Sequence, residues 1–352
     1  MVFMPFSAPP LPSPLPPGSG TPMQAMSGTM WMPTAPPDLT RLIAVHLQPV
    51  PVLPAIALVM LISYLFAVLA LRRRGDRWPA ARLIWWSAGV LTILAVTATG
   101  LEGYGMELFS IHMVQHMVLS MLAPVFLTLG APITLALRAL PARPRRVLSA
   151  RRLLLKVLHS PVARFLTHPI VTIALFLLSL YGVYFTTLFD ILMSTMWGHN
   201  LMLLHFLAIG MLYFWGVMGV DPSPRQKGRT PRVLQGPVLR IFELFATVPF
   251  HAFFGVVIMM SVGLVVRYYA VPIPGWPTTP LHDQAVGGGI AWSFTEIPTL
   301  LVLGVLFIRW QRSEAKSERR LDRRIRIQGD VERGSYNDYL AALAERDRGA
   351  TP

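Results

Sequence analysis

Two histidines, His112 and His116, stand four residues apart in the apolar stretch SIHMVQHMVLSMLAPVFLTLG, Ser110 to Gly130. On a helix that spacing puts both imidazoles on one face. Met113, Met117 and Met121 form a second stripe at the same spacing, about 100° further round. The stretch is long enough to cross a bilayer, since about 20 apolar residues span roughly 30 Å of hydrocarbon. Imidazole inside a membrane is costly and marks a ligand site or a polar pathway. The opposing reading is two interfacial histidines bonded to neighbours, beside methionines that fill space.

Other candidates recur along the chain. His199 opens another apolar run, His205 lies about 9 Å deeper in it, and Met202 sits between, three residues from each. His251 is near the middle of a further run and shares a face with Thr247 and Gly255. A small residue there lets another helix approach, so His251 reads as a packed core histidine more readily than as a ligand. Glu296 falls in the last run, where a carboxylate needs a partner such as a histidine or a metal; the alternative is a polar contact that fixes helix packing. Met106, Glu107, Asp190, Met193, Met196 and Asp283 lie at loops or helix ends on the side of these histidines.

The chain has no cysteine, which excludes disulfides, dithiol redox chemistry and thiolate ligation. Imidazole and thioether with carboxylates nearby suit a copper ion better than zinc or an iron–sulfur cluster. Haem is the competitor, held by His112 or His116 with His199 across two helices. Residue types alone leave the two open.

These residues must be positioned by helices. Of 352 residues, 53% are hydrophobic and only 14% charged, and the mean hydropathy is +0.52, which points to a membrane protein. Seven apolar runs follow one another, at 52–71, 83–101, 111–130, 169–187, 199–218, 241–263 and 290–308. The expected fold is all-α, a polytopic bundle of seven transmembrane helices over 51–309. Twenty-nine of the 31 lysines and arginines fall on one side of these runs, and only Arg41 and Arg267 on the other. By the positive-inside rule the N-terminus is expected outside and the C-terminus in the cytoplasm of a bacterial cell.

The flanks differ from the bundle. Residues 1–50 are rich in proline and nearly uncharged, and read as a disordered extracytoplasmic arm. Met23, Met26, Met30 and Met32 cluster there around Trp31; thioethers suit monovalent copper, but a spacer without ligands is the favoured reading. The segment between the third and fourth runs mixes arginine with leucine, as a basic amphipathic helix on an anionic inner leaflet does. Residues 310–352 form a basic tail that continues the last helix. The net charge of +14 is spread between and after apolar runs, which excludes a nucleic-acid partner. All three lysines, Lys156, Lys227 and Lys316, lie outside the runs, which excludes a retinal Schiff base.

The motifs HMVQHMVLSMLAPVFLTLGAPITLALRALP from His112, FLTHP from Phe165 and HNLMLLHFLAIGMLYFWGVMGVDPSPR from His199 are joined by PFHAFFGVVIM and DQAVGGGIAW further on. In these, and in their order, the chain resembles the CtaG-type cytochrome c oxidase assembly factors. The resemblance implies a non-catalytic membrane protein that assists assembly of a haem–copper oxidase, with oxidase subunits as partners and copper delivery as a further expectation. Transport of copper or haem is the alternative; it requires polar groups through the full depth of the membrane, and here they thin out below His205 and His251.

Overall fold

The computed structural model describes residues 30–141, 149–224, 237–328 and 331–349, and among them the regular structure is helical. A short helix α1 (Leu39–Ile43) precedes α2 (Val52–Arg73), α3 (Ala80–Thr97) and α4 (Gly100–Glu107). Next comes α5 (Phe109–Leu129), which contains a π-helical turn at Val118–Leu122. Three short helices follow, α6 (Pro132–Ala139), α7 (Ala150–Leu158) and α8 (Pro161–Leu166). Then come α9 (Pro169–Tyr184), α10 (Leu188–Met193), α11 (Met196–Met218) and α12 (Pro237–Met259), and finally α13 (Pro280–Phe294), α14 (Glu296–Gln328) and α15 (Val331–Gly349).

Among the described residues six helices are long and apolar enough to cross a membrane: α2, α3, α5, α11, α12 and the α13–α14 rod, while α9 is a shorter apolar helix of 16 residues. Helix α5 is the most buried of the six. It sits at the centre because its histidines, glutamine and serines need protein neighbours that lipid does not supply.

Small residues set the close approaches. A Cβ on Gly210 of α11 would lie 2.2 Å from the Ser120 carbonyl oxygen, so α11 crosses α5 at its π-turn. That turn precedes Pro124, which has no N–H to give the Ser120 carbonyl. Gly255 and Gly288 face each other across α12 and α13, where a Cβ on Gly288 would meet the Met259 nitrogen at 2.4 Å. Helices in membranes pack through small residues in this way.

Two expected runs are broken. The run expected at 83–101 ends at Thr97, and α4 begins at Gly100. There the chain pairs with residues 44–46: Gly100 N donates to the Ala44 carbonyl at 2.9 Å, and His46 N to that of Ala98 at 3.0 Å. The run expected at 290–308 is split between α13 and α14 at Thr295. Pro298 cannot donate to the carbonyl of Phe294, the last residue of α13. Helix α14 then continues past the apolar run to Gln328.

Of the segment read as a disordered arm, residues 1–29 lie outside the described residues, with Met23 and Met26 among them. Residues 30–50 instead pack on the bundle. Met30 is buried within the main hydrophobic cluster, and the side-chain amide of Gln48 holds both backbone groups of Trp31, at 2.8 and 3.0 Å.

Candidate functional site

The candidate residues gather in two tiers at the arginine-poor end of α5. The upper tier pairs His112 with His199, from the first turns of α5 and α11. Their ring centroids are 5.8 Å apart. Both are fully buried, and all four ring nitrogens lack a hydrogen-bond partner. Buried polar atoms are nearly always satisfied, so four ring nitrogens without a hydrogen bond on two neighbouring imidazoles call for an explanation. Phe189 packs against His112 at 5.1 Å and Tyr269 at 6.4 Å, walling the pair off from solvent.

Glu102 of α4 completes this tier. Its Oε1 is 3.5 Å from His199 Nδ1, and Gln115 Nε2 donates to its Oε2 at 2.7 Å and to the Val96 carbonyl at 2.8 Å. Burial pushes the Glu102 carboxyl up to about 8, although the bond from Gln115 pulls the other way. At neutral pH it is mostly protonated, so its contact with His199 is no ion pair. A cation placed between the imidazoles would reverse this by favouring the carboxylate.

One turn deeper lies the second tier. His116 Nδ1 meets the Tyr184 hydroxyl at 3.0 Å, and its ring packs on Phe206 at 3.8 Å between centroids. His251 Nε2 is 3.4 Å from the Met117 sulfur. His205 Nε2 meets the Ser179 hydroxyl at 2.7 Å. His116 and His251 line one small cavity of about 10 Å³ together with Ser120 and Ser179, enough for about one water. Around both tiers run buried thioethers: Met106, Met113, Met117, Met121, Met193 and Met202 all belong to one hydrophobic cluster.

Chemically the upper tier can hold a soft ion. Two metal–nitrogen bonds of about 2.0–2.1 Å each, with two ring radii, come to roughly 6.4 Å in a straight line, so the observed 5.8 Å would suit a bent two-nitrogen arrangement. Among the described residues no three histidine or acidic side chains converge on one point. Met113 and Met202 lie on the same two helices, and their thioethers are donors that monovalent copper accepts and harder ions do not.

The structure brings His112, His199, Met113, Met117, Met202, His116, His205 and His251 into this one region, and joins His112 with His199 rather than with His116. Glu296 stands apart, exposed at the start of α14. His159 is exposed and bonded to its own helix at the Leu155 carbonyl. Sequence reasoning missed Glu102, Gln115 and Tyr184. The available signal for Glu102 was an acidic residue among glycines, in the segment joining two apolar runs at the histidine-bearing end.

The family model described as cytochrome c oxidase caa3 assembly factor matches residues 62–313. The chain belongs to this family. It is also 41% identical over 298 residues to an uncharacterized protein of Mycobacterium bovis, and 38% identical over the same length to one of Mycobacterium leprae. Each match covers 84% of this chain and 44% of the relative. The chain thus spans less than half the length of these curated relatives. No solved structure matches. The matched region takes in both histidine tiers and leaves out Trp31 and His46.

Proposed function

We propose that this protein assists the assembly of a haem–copper cytochrome c oxidase by holding copper between His112 and His199 at the outer face of the membrane. The single observation that carries the copper reading is the set of four orphaned imidazole nitrogens, fully buried and 5.8 Å apart between ring centroids. The assembly role follows from family membership. Met113, Met117 and Met202 supply thioether donors on the same two helices, and they favour copper over haem as the bound species. His116, His205 and His251 form a deeper tier, in which His116 and His205 already hold hydroxyl partners, while His251, its Nδ1 unpartnered, sits beside the Met117 sulfur at 3.4 Å as a further imidazole–thioether pair.

In this reading α9 is a seventh crossing. Its Tyr181 hydroxyl bonds the Phe250 carbonyl at 2.7 Å, and Ser179 bonds His205 of α11, so it runs beside two long helices at membrane depth. Seven crossings with 29 of 31 basic residues at one end place the N-terminus outside, the C-terminus in the cytoplasm and both histidine tiers in the outer half of the plasma membrane. The partners are oxidase subunits that receive copper from that side, and the role is non-catalytic.

Deleting the protein in its own cells tests the role. Mature oxidase is expected to fall, with its apoprotein still made, and added copper should restore part of the activity. Normal oxidase in the deletion strain would end the assembly reading. An absorption spectrum of purified protein separates the two candidate ligands, because haem gives a Soret band and copper does not.

A further inference from the structure

Outside the buried tiers, the arginine-poor rim carries a second group of soft donors. A cavity of about 350 Å³ opens there, lined by Trp31, Met32, Arg41, His46 and Tyr104 among others. His46 and Met32 are only half-buried, so solvent reaches both.

The walls of this cavity are built into the fold. On one side Gln48 clamps the backbone of Trp31, the Tyr104 hydroxyl donates to the Ala35 carbonyl at 2.9 Å, and Trp276 Nε1 donates to that of Thr34 at 3.3 Å. On the other side an isolated bridge joins Val45 to Thr99, beside the bond from His46 N to Ala98. The Trp31 ring nests on Gly103, where a Cβ would come within 2.3 Å of it. Trp31 in turn packs against the His46 imidazole with centroids 3.7 Å apart and the rings tilted by 31°. The one basic residue of the cavity is engaged elsewhere, since Arg41 pairs with Asp38 at 3.2 Å and donates to the Pro36 carbonyl at 2.7 Å.

The cavity also connects inward. Met32 packs against the same cluster that contains Met30, Met106, Met113, Met117 and Met202. Thioethers at the rim and around the buried imidazoles thus belong to one packed cluster. Imidazole nitrogen, thioether sulfur and an indole face are donors that suit a soft monovalent cation.

We infer that His46 and Met32, against Trp31, form a docking site for monovalent copper at the outer rim, and that the buried thioethers lead from it to His112 and His199. The second half of this inference rests on the copper reading of the buried pair; the docking site itself does not.

The test uses the full chain purified in detergent and Ag(I), a redox-inert stand-in for Cu(I). Two quantities are followed: indole fluorescence, and metal retained after a chelator wash. Wild type is expected to show a fast quench that Trp31→Phe removes, followed by slower growth of a chelator-resistant pool. Loss of even an outer partner costs about 10- to 100-fold in metal affinity. The His46→Ala, Met32→Leu variant should therefore need at least about tenfold more Ag(I) for the same fast quench, and should fill the resistant pool more slowly to the same final level. A near-ultraviolet dichroism spectrum like that of wild type shows the variant to be folded.

The His112→Ala, His199→Ala variant should keep the fast quench and lose the resistant pool. A missing pool in wild type with an intact quench supports the rim site and removes the buried one. An unchanged quench in the His46→Ala, Met32→Leu variant, or no Trp31-dependent quench in wild type, overturns the rim site. An unchanged loading rate overturns its connection to the buried pair.

Discussion

Asp283 holds the start of the helix that carries His112: Phe109 N donates to its Oδ2 at 2.6 Å and Ser110 N at 3.3 Å, and the Ser110 hydroxyl donates to its other oxygen. A residue of α13 thus acts as the N-cap of α5, satisfying amides that no residue of α5 can reach. The cap fixes where α5 begins and hence where His112 points. Replacing Asp283 by alanine should lower stability by about 0.5–2 kcal/mol, the usual cost of a lost cap, while Asp283→Asn keeps an acceptor and loses less. Thermal unfolding in detergent measures both, and equal melting of the two variants with wild type would mean the cap contributes nothing.

Glu102 predicts a pH dependence. Its carboxyl is raised from 4.5 to about 8 in the folded protein. A raised carboxyl contributes stability that is fully present below about 4.5 and is lost as pH rises through about 8. The Glu102→Gln variant lacks this slope. Its melting temperature should rise relative to wild type as pH climbs from 5 to 8, and a constant difference across that window would contradict the placement of a neutral Glu102 beside His199.

Helix α5 and helix α11 touch through Gly210. An alanine there must push a methyl group to within 2.2 Å of the Ser120 carbonyl oxygen, which is backbone and cannot swing away. Overpacking of this kind costs about 1–3 kcal/mol. Gly182, by contrast, has open space where a Cβ would go, so Gly182→Ala should be nearly neutral and serves as the control. Equal melting of the two variants would show that the crossing is looser than described.

Orientation is tested by reporters active only outside the cytoplasm. A fusion within 270–279 should be active, and one after Gln328 silent. The opposite pattern would place the histidine tiers on the cytoplasmic side and remove copper delivery at the outer face.

Much of the scaffold was legible because a membrane helix must be apolar over a fixed length. The runs expected at 52–71, 111–130 and 199–218 lie within a few residues of α2, α5 and α11. The break at Thr295 was readable in principle from Pro298, whereas the break before Gly100 arises from pairing with residues 44–46, a contact that local composition does not reveal. Spacing placed His112 and His116 on one face, and topology offered His199 as a partner for either without choosing between them. Tyr184 comes from a helix far away in the chain, and only the folded bundle shows that His199 lies beside His112 while Tyr184 bonds His116. Glu296 read as a possible ligand because a carboxylate in an apolar run demands a partner. The structure sets it apart from the histidine tiers, exposed at the start of α14 just after the break at Thr295.

The most direct measurement is the copper content of the purified full chain after reduction, loading with Cu(I) and a chelator wash. Wild type should retain about one copper per chain with nitrogen and sulfur neighbours in its X-ray absorption spectrum. The His112→Ala, His199→Ala variant should retain none while keeping its helical content. Copper retained equally by both, or by neither, would contradict a metal centre between His112 and His199.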